Sequence, residues 1–138
     1  MKFEGTVAID APRPAIWNAL TDPALLVKLT PGVRGYKTLV PNEKFELETG
    51  FQFAAQTFNS PVVLRWTEFQ PEELLGVDGQ MSFGGEQFSF TGRLTLAEGV
   101  AFSAEIPKHP TNLPRSLVHQ FAVQTIRAFF KNLKAELE

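Results

Sequence analysis

Cysteine is absent from this chain of 138 residues, and histidine occurs only twice. The lack of cysteine excludes disulfides, thiolate nucleophiles and thiolate metal ligands, and it is typical of a reducing compartment. Two scattered histidines are too few for an ordinary zinc site, so we expect no metal and no cofactor. The segment Met1–Gly5 has no apolar run behind a basic start. We therefore expect no signal peptide and a cytoplasmic location.

Long apolar runs and basic clusters are also missing. No stretch approaches the roughly 20 apolar residues of a membrane helix, so we expect no transmembrane segment. The formal net charge of −2 gives no electrostatic footprint for a nucleic-acid partner. Gly-x-Ser-x-Gly and glycine-rich phosphate loops are absent, and no catalytic residue is predicted. A non-catalytic function is favoured, although carboxylate pairs distant in sequence leave enzymatic activity open.

Aromatic residues, by contrast, are abundant. Thirteen Phe, two Trp and one Tyr make up 12% of the chain. Each ring needs a large buried volume, so the rings either fill the interior or line a cavity. Hydrophobic residues at 43% and charged residues at 20% are typical of a globular protein. The length indicates a single domain over residues 1–138.

The first quarter of the chain predicts one strand and two short helices. Residues 2–9 alternate between apolar and polar side chains, which indicates a half-buried strand. Pro12 and Pro14 suit the first turn of a helix. Asp22 is a good N-cap for a second short helix, which the Thr30-Pro31-Gly32 segment ends.

Period-two alternation dominates the middle of the chain and predicts six further strands. Short turns separate them, so sequential strands are expected to be antiparallel neighbours. One apolar face and one polar face indicate a sheet covered on one side only. The expected strands span residues 33–40, 43–55, 62–69, 74–83, 88–96 and 100–106.

We expect the last segment of the chain to cover the apolar face of the sheet. Residues 112–137 carry a broad apolar stripe at helical spacing, with Thr111 or Asn112 as the expected cap. A long amphipathic helix needs a large apolar surface to lie on. The sequence thus predicts an α+β fold in which a curved seven-stranded antiparallel sheet wraps around a long C-terminal helix, with two short helices after the first strand.

The opening residues resemble a known family. The segment Met1–Pro12 is similar to the first strand and helix start of the family formed by the G subunit of carbon monoxide dehydrogenase. Trp17, Leu20–Pro23 and Leu29–Val33 fall where the opening motifs of that family fall. Beyond residue 33 the resemblance is one of element order, which is that of the START-like (SRPBCC) superfamily and its helix-grip fold.

The resemblance implies a hydrophobic cavity between the sheet and the long helix. It implies that the protein binds or carries a small apolar molecule, lipid-like or quinone-like. It also implies service as an accessory to an oxidoreductase complex at a membrane. The expected partners are accordingly a small apolar ligand and a protein, with the oligomeric state left open.

Apolar side chains in phase on the strands and the helix are the candidate cavity lining, with a few polar side chains as anchors. Thr49 and Gln87 are further polar candidates. The predicted ligand-binding residues are Phe45, Leu47, Phe51, Phe53, Arg65, Val77, Met81, Phe88, Phe90, Phe102, His109, Phe121 and Thr125.

Arg65 and His109 enter this set conditionally. Arg65 faces inward only if strand 62–69 places Val63 and Phe69 on the apolar face. It faces outward if Val62, Leu64 and Trp66 lie on that face instead. His109 lies in a proline-flanked loop before the helix, which in this superfamily tends to border the cavity mouth. The alternative for both His109 and His119 is an ordinary surface or boundary histidine.

Two other functions compete with a carrier. The superfamily also includes enzymes of the polyketide cyclase or isomerase kind, which a polar pair deep in the cavity would favour. A protein-interaction module would instead have a filled core and act through its outer surface. Residue types alone do not separate a packed aromatic core from a lined cavity.

Overall fold

The first strand is followed by two short helices in the computed structural model, which describes residues 1–53, 56–83 and 85–138, without the side chains at positions 51, 53, 56, 58 and 83. Strand β1 spans Lys2–Val7, helix α1 spans Arg13–Leu20 and helix α2 spans Pro23–Leu29. Asp22 caps α2 as expected, because its carboxylate accepts a hydrogen bond of 3.0 Å from the backbone N–H of Ala24.

Eight further strands follow, and seven of the nine form one antiparallel sheet. Its strand order is β1-β9-β8-β7-β6-β3-β2, while β4 and β5 form a separate two-stranded sheet. The seven-stranded antiparallel sheet predicted from the alternation is therefore confirmed. The strands are β2 (Val33–Val40), β3 (Lys44–Thr49), β4 (Phe51–Phe53), β5 (Gln56–Phe58), β6 (Val62–Gln70), β7 (Leu74–Phe83), β8 (Glu86–Leu96) and β9 (Val100–Glu105).

Several predicted boundaries need correction. The first strand ends at Val7 rather than at residue 9, and the expected strand 43–55 is divided into β3 and β4 at Gly50. A side chain at Gly50 would overlap the guanidinium of Arg34, and the Gly50 backbone N–H donates to the carbonyl of Gly32 at 2.7 Å. The chain therefore leaves β3 at this glycine and pairs β4 with β5 instead.

The long helix α3 spans Arg115–Leu137. Pro114 is its N-cap residue, and no side chain caps the first turn. The expected cap at Thr111 or Asn112 is thus wrong by a few residues, because Pro114 lacks an N–H and suits the end of a helix rather than its interior.

Aromatic contact shows which face of the sheet α3 covers. The rings of Phe102 on β9 and Phe130 on α3 stack at 5.0 Å between centroids. Phe102 pairs with Gly5 on one side and Leu94 on the other, and Leu94 pairs with Leu75. Alternation from these residues defines the inner face of the sheet, with register shifts in β2 and between Trp66 and Glu68 of β6.

The fully buried core lies at one end of the space between sheet and helices. Leu75 and Val100 from the sheet meet Leu20 of α1 and Leu133 of α3 there, each at most 1% exposed. Full burial of such a side chain stabilises the fold by about 1.5–3 kcal/mol. This cluster, the closed end, fixes the C-terminal half of α3.

Polar contacts reinforce the same half of α3. The Asn132 side-chain amide donates to the Leu29 carbonyl at 2.9 Å, and Lys28 forms an ion pair with Glu136 at 2.9 Å. The opposite end of the helix is held by buried Val118 and by His119, whose ring lies 5.3 Å from that of Phe3. The helix is thus supported near both ends.

A small group of hydroxyls extends the β3–β6 pairing past its last backbone partners. The Thr49 hydroxyl donates to the Ser60 carbonyl and accepts from the Ser60 N–H at 3.3 Å. The Ser60 hydroxyl accepts from the Ser82 N–H at 3.1 Å. Thr49 is 6% exposed and Ser60 9% exposed, so these bonds join the ends of β3, β6 and β7 away from water.

Thr49→Val should therefore destabilise the protein. The substitution keeps the shape but leaves the Ser60 N–H without its partner and removes the donor to the Ser60 carbonyl. A buried unsatisfied group costs about 1–3 kcal/mol of unfolding free energy. Urea denaturation of wild type and variant measures the change.

Thr38→Val is the matched control. Thr38 lies exposed on the edge strand β2, where a surface change should stay within about 0.5 kcal/mol. Equal losses for the two variants would contradict a stabilising function of the Thr49 hydroxyl.

Candidate functional site

The inner face of the sheet is buried at the closed end but only half-buried over its centre. The half-buried floor, as we call this region, belongs to β6, β7, β8 and β9. It faces α3, yet part of each side chain can be reached by water. Its apolar side chains are Leu64, Trp66, Val77, Met81, Phe88, Phe90, Leu94 and Phe102, of which Trp66, Leu94 and Phe102 pack against the closed end.

The middle of α3 is half-buried in the same way. Among the described elements, the α3 backbone runs close to α1 and α2, and no strand follows it as closely. Helix and floor therefore face each other without the full burial seen at the closed end. The half-buried residues of the helix middle are Phe121, Ala122, Val123, Thr125, Ile126, Ala128 and Phe129, of which Ile126 and Phe129 pack against the closed end.

Small residues occupy the centre of the floor. Gly79 lies in register between Leu64 and Phe90, and Gly92 lies between Val77 and Ala104. The absence of side chains at Gly79 and Gly92 lowers the floor at its centre, because neighbouring side chains can lie flat across the sheet. The end of the Phe90 ring occupies the position where a side chain at Gly79 would lie.

The structure brings most of the predicted site residues to this region. Phe45 and Leu47 lie on the inner face of β3, 5% and 7% exposed respectively. Phe51 and Phe53 fall outside the described side chains. The predicted residues that lie on the floor or the facing helix are Val77, Met81, Phe88, Phe90, Phe102, Phe121 and Thr125.

Arg65 does not belong to this group, and its conditional inclusion must be corrected. Leu64 pairs with inward-facing Phe45 and Gly79, so its neighbour Arg65 points to the outer face. The Arg65 side chain is 57% exposed and lies 3.5 Å from the Asp78 carboxylate. An exposed ion pair on the outer face cannot anchor a ligand under the helix. The candidate anchor Gln87 is exposed as well.

The loop before α3 is fastened to the sheet at the start of β8. The Glu86 carboxylate accepts hydrogen bonds from the Thr111 N–H at 2.9 Å and the Thr111 hydroxyl at 2.8 Å. Pro110 is fully buried beside half-buried His109. His109 therefore lies in a loop held in place by its neighbours.

These bonds shift the acidity of Glu86. The Thr111 hydroxyl, followed by the backbone N–H groups of Thr111 and Asn112 and the charge of Lys108, lowers the pKa of Glu86 from its usual 4.5. Partial loss of solvent opposes the shift but does not reverse it. Each stabilising contact favours the charged carboxylate over the protonated form.

Two hydrogen-bonded groups at the border of the site could not be predicted from the sequence. They are the Ser60–Ser82 pair and Glu86 with its partner Thr111. The Ser60 hydroxyl accepts from the Ser82 backbone N–H, and the Glu86 carboxylate accepts from Thr111, 25 residues away. No local motif marks such contacts, since they depend on the register of non-adjacent segments. The proline-rich loop was the one available signal that residues near 111 need an external partner.

A groove with a volume of about 390 Å³ lies on the outer face of the sheet. Charged side chains, including Glu68, Asp78 and Arg93, line much of it, and Arg93 forms an ion pair with Glu68 at 3.3 Å. This polar groove does not suit an apolar ligand.

The described residues provide neither a metal site nor a membrane-spanning helix. No group of three or more His, Asp or Glu residues in that part of the chain could hold a metal ion. None of the helices described here is long and apolar enough to cross a membrane.

Glu86→Gln should produce a pH-dependent loss of stability. Because the folded-state pKa is lowered, the carboxylate contributes stability above its unfolded pKa and loses it as pH falls through the folded pKa. The variant should be less stable than wild type at pH 7, and the gap should close below about pH 4.5. Urea titrations at several pH values measure the gap.

Glu98→Gln serves as its control, since Glu98 lies exposed in the turn before β9. It should show no such pH-dependent gap. A Glu86→Gln gap that stayed constant with pH would rule out the carboxylate charge as the cause.

The similarity of this chain to known proteins is a similarity to solved structures. No family model and no curated protein matches the sequence. A conserved protein from Geobacillus kaustophilus is similar with a TM-score of 0.85 at 17% identity, over 99% of this chain and 95% of that one. A START superfamily protein from Mycobacterium smegmatis is similar with a TM-score of 0.68 at 15% identity, over 99% and 96%. Ara h 8.0201 is similar with a TM-score of 0.70 at 17% identity, over 99% and 97%.

At these identities the likeness shows the fold alone. It does not show the carbon monoxide dehydrogenase family that the opening residues resemble. The chain has the α+β helix-grip fold found in the START superfamily.

Proposed function

We propose that residues 1–138 form a single ligand-binding domain that holds a small apolar molecule between the sheet and α3. The observation that carries the proposal is the half-buried floor beneath a helix middle that is itself half-buried. Apolar surface left in contact with water costs about 25 cal/mol per Å² relative to burial. An apolar ligand inserted there would bury surface that the fold leaves uncovered.

The contrast with the closed end supports this function. Leu133 is 0% exposed and Leu75 is 1% exposed, which shows that this chain can pack sheet, helices and side chains completely. Protein interiors ordinarily reach the density of organic crystals. The half-burial of the floor is therefore a local property of the region below the helix middle.

The chemistry of the region favours binding over catalysis. Thr49 and Ser60 are the buried polar residues among those described, and no charged side chain there is buried. Both are occupied with each other through the hydrogen bonds at the ends of β3 and β6. A cyclase or isomerase would need a polar group directed at its substrate, and Arg65, the candidate for that task, lies outside.

The family resemblance of the opening residues supports a narrower proposal for the ligand class and for the complex that the protein assists. Residues 1–33 resemble the family of the carbon monoxide dehydrogenase G subunit, which favours a lipid-like or quinone-like ligand and an accessory function beside an oxidoreductase complex. In this proposal the loop that contains His109 borders the entrance. A filled core would instead favour a protein-interaction module.

Filling the space should abolish uptake of an apolar dye. Thr125→Trp places a large ring on the side of α3 that faces the floor, and Nile red fluorescence should then no longer rise on titration with protein. The wild type should bind the dye with an increase and blue shift of its emission.

Gln124→Trp is the matched control because Gln124 is exposed on the same turn of α3. It should bind Nile red as the wild type does. Absence of dye binding by the wild type, together with no co-purified molecule in native mass spectrometry, would contradict the carrier function.

Two aromatic truncations on α3 should differ in cost. Phe130 is 6% exposed within the core cluster, so Phe130→Ala should lower the unfolding free energy by about 3–5 kcal/mol. Phe121 is half-buried, and a ring that lines a cavity lacks packing partners on one side. Phe121→Ala should cost less than Phe130→Ala in urea titrations. An equal cost would indicate a filled core at both positions.

A further inference from the structure

Charge is distributed unevenly along this chain. Residues 106–135 contain five basic residues and no acidic one, so all fifteen acidic residues lie elsewhere, in a protein whose formal net charge is −2. The segment comprises the loop before α3 and most of α3 itself. Its basic residues are Lys108, Arg115, Arg127, Lys131 and Lys134. The long helix therefore carries a local excess of positive charge that the net charge does not reveal.

Two of these residues form a basic pair on the exposed side of α3. Arg127 and Lys131 are exposed and lie one turn apart, where like charges repel each other and weaken a helix. Neither forms an ion pair with the residues that the structure describes, whereas Lys134 pairs with Glu138. The helix dipole favours basic residues only within the last turn, so it does not explain this pair.

The first turn of α3 has the same sign of charge. Arg115 is exposed there, and no acidic side chain lies in that turn. Acidic residues stabilise the N-terminus of a helix, and a basic residue at that position is unfavourable. Lys108 in the preceding loop is partly offset by the Glu86 carboxylate nearby. Positive charge thus extends along α3 at positions where helix stability favours other residues.

The closed end carries the opposite charge. Its turns adjoin the core residues Ile9, Leu75, Leu96 and Val100, and acidic residues outnumber basic ones there. Repulsion from an anionic surface would therefore hold this end away while α3 is attracted. The acidic residues at the closed end are Asp10, Glu43, Glu72, Glu73, Glu98, Glu136 and Glu138.

The exposed side of α3 offers charge without an apolar centre. The large apolar side chains exposed in the described part of the chain all lie on β2 and β6, namely Tyr36, Leu39, Val40 and Phe69. Protein interfaces usually combine an apolar core with a polar rim. Anionic lipid headgroups instead attract separate basic side chains, each of which contributes to binding. Spaced positive charges alone thus fit a lipid surface better than a protein surface.

We propose that the exposed side of α3 is a docking surface for an anionic lipid bilayer. Arg127 and Lys131 bind the headgroups, and Arg115 extends the contact toward the start of the helix. The attraction is Coulombic and inserts no segment into the bilayer. This inference stands on the charge distribution alone and goes beyond the proposed function. In a carrier, such docking would bring the helix that covers the ligand to a reservoir of apolar molecules.

Cosedimentation with vesicles tests the docking surface. The wild type should sediment with vesicles of equimolar phosphatidylglycerol and phosphatidylcholine, and not with phosphatidylcholine alone. Raising sodium chloride from about 0.1 M to about 1 M shortens the Debye length from about 10 Å to about 3 Å and should release the protein.

Arg127→Gln combined with Lys131→Gln should weaken binding to the anionic vesicles by about fivefold for each charge removed. Arg13→Gln combined with Lys37→Gln is the matched control, because it removes the same charge from exposed positions on α1 and β2. The control should sediment as wild type does. Circular dichroism and Nile red binding without vesicles should be unchanged in both double variants.

The outcomes separate this surface from its alternatives. An equal loss in the two double variants, or equal binding to phosphatidylcholine alone, would overturn the docking surface. Binding of wild type to polyglutamate with none to anionic vesicles would overturn the lipid assignment and indicate an acidic protein partner. Nile red binding without vesicles tests the carrier function separately, so either proposal can fail while the other stands.

Discussion

Anchoring of α3 near both of its ends is the constraint on which the proposed site depends. Leu133 and Phe130 lock the C-terminal half of the helix against the sheet and the two short helices. His119, Val118 and the buried Pro110 hold the other end. A rigid helix fixed at both ends cannot sink into the floor between them. The half-buried middle is therefore a consequence of the anchoring rather than of weak packing in general.

The sheet contributes by placing its smallest residues where the helix stands off. Gly79, Gly92 and Ala104 occupy the inner face in adjacent registers, while the bulky residues Leu75 and Leu96 lie at the closed end. Larger side chains at these three positions would extend the buried core toward the centre of the sheet. In the proposed function the positions of these small residues, rather than the number of aromatic residues, would distinguish a cavity lining from a packed interior.

The architecture could be predicted from the sequence because its signals are local. Alternation gave the seven strands of the main sheet, and the apolar stripe gave α3. The break at Gly50 could not be predicted because it depends on Arg34, which is distant in sequence. The start of α3 at Arg115 follows instead from Pro114, which lacks an N–H and lies at the helix end. The inner face of β6 was ambiguous because Val62, Val63 and Leu64 are all apolar, and only the pairing with β3 and β7 decides it.

The site was predictable in composition but not in shape. Aromatic residues at inward positions could be named from alternation, yet alternation does not tell whether a ring stands upright or lies flat. That distinction depends on the residue across the strand, and Gly79 is separated from Phe90 by a hairpin whose exact register the sequence does not specify. Once the register is known, the two residues act as one unit. The Phe90 ring covers the bare backbone of Gly79, as the Phe102 ring covers that of Gly5, so the register decides which rings lie across the sheet.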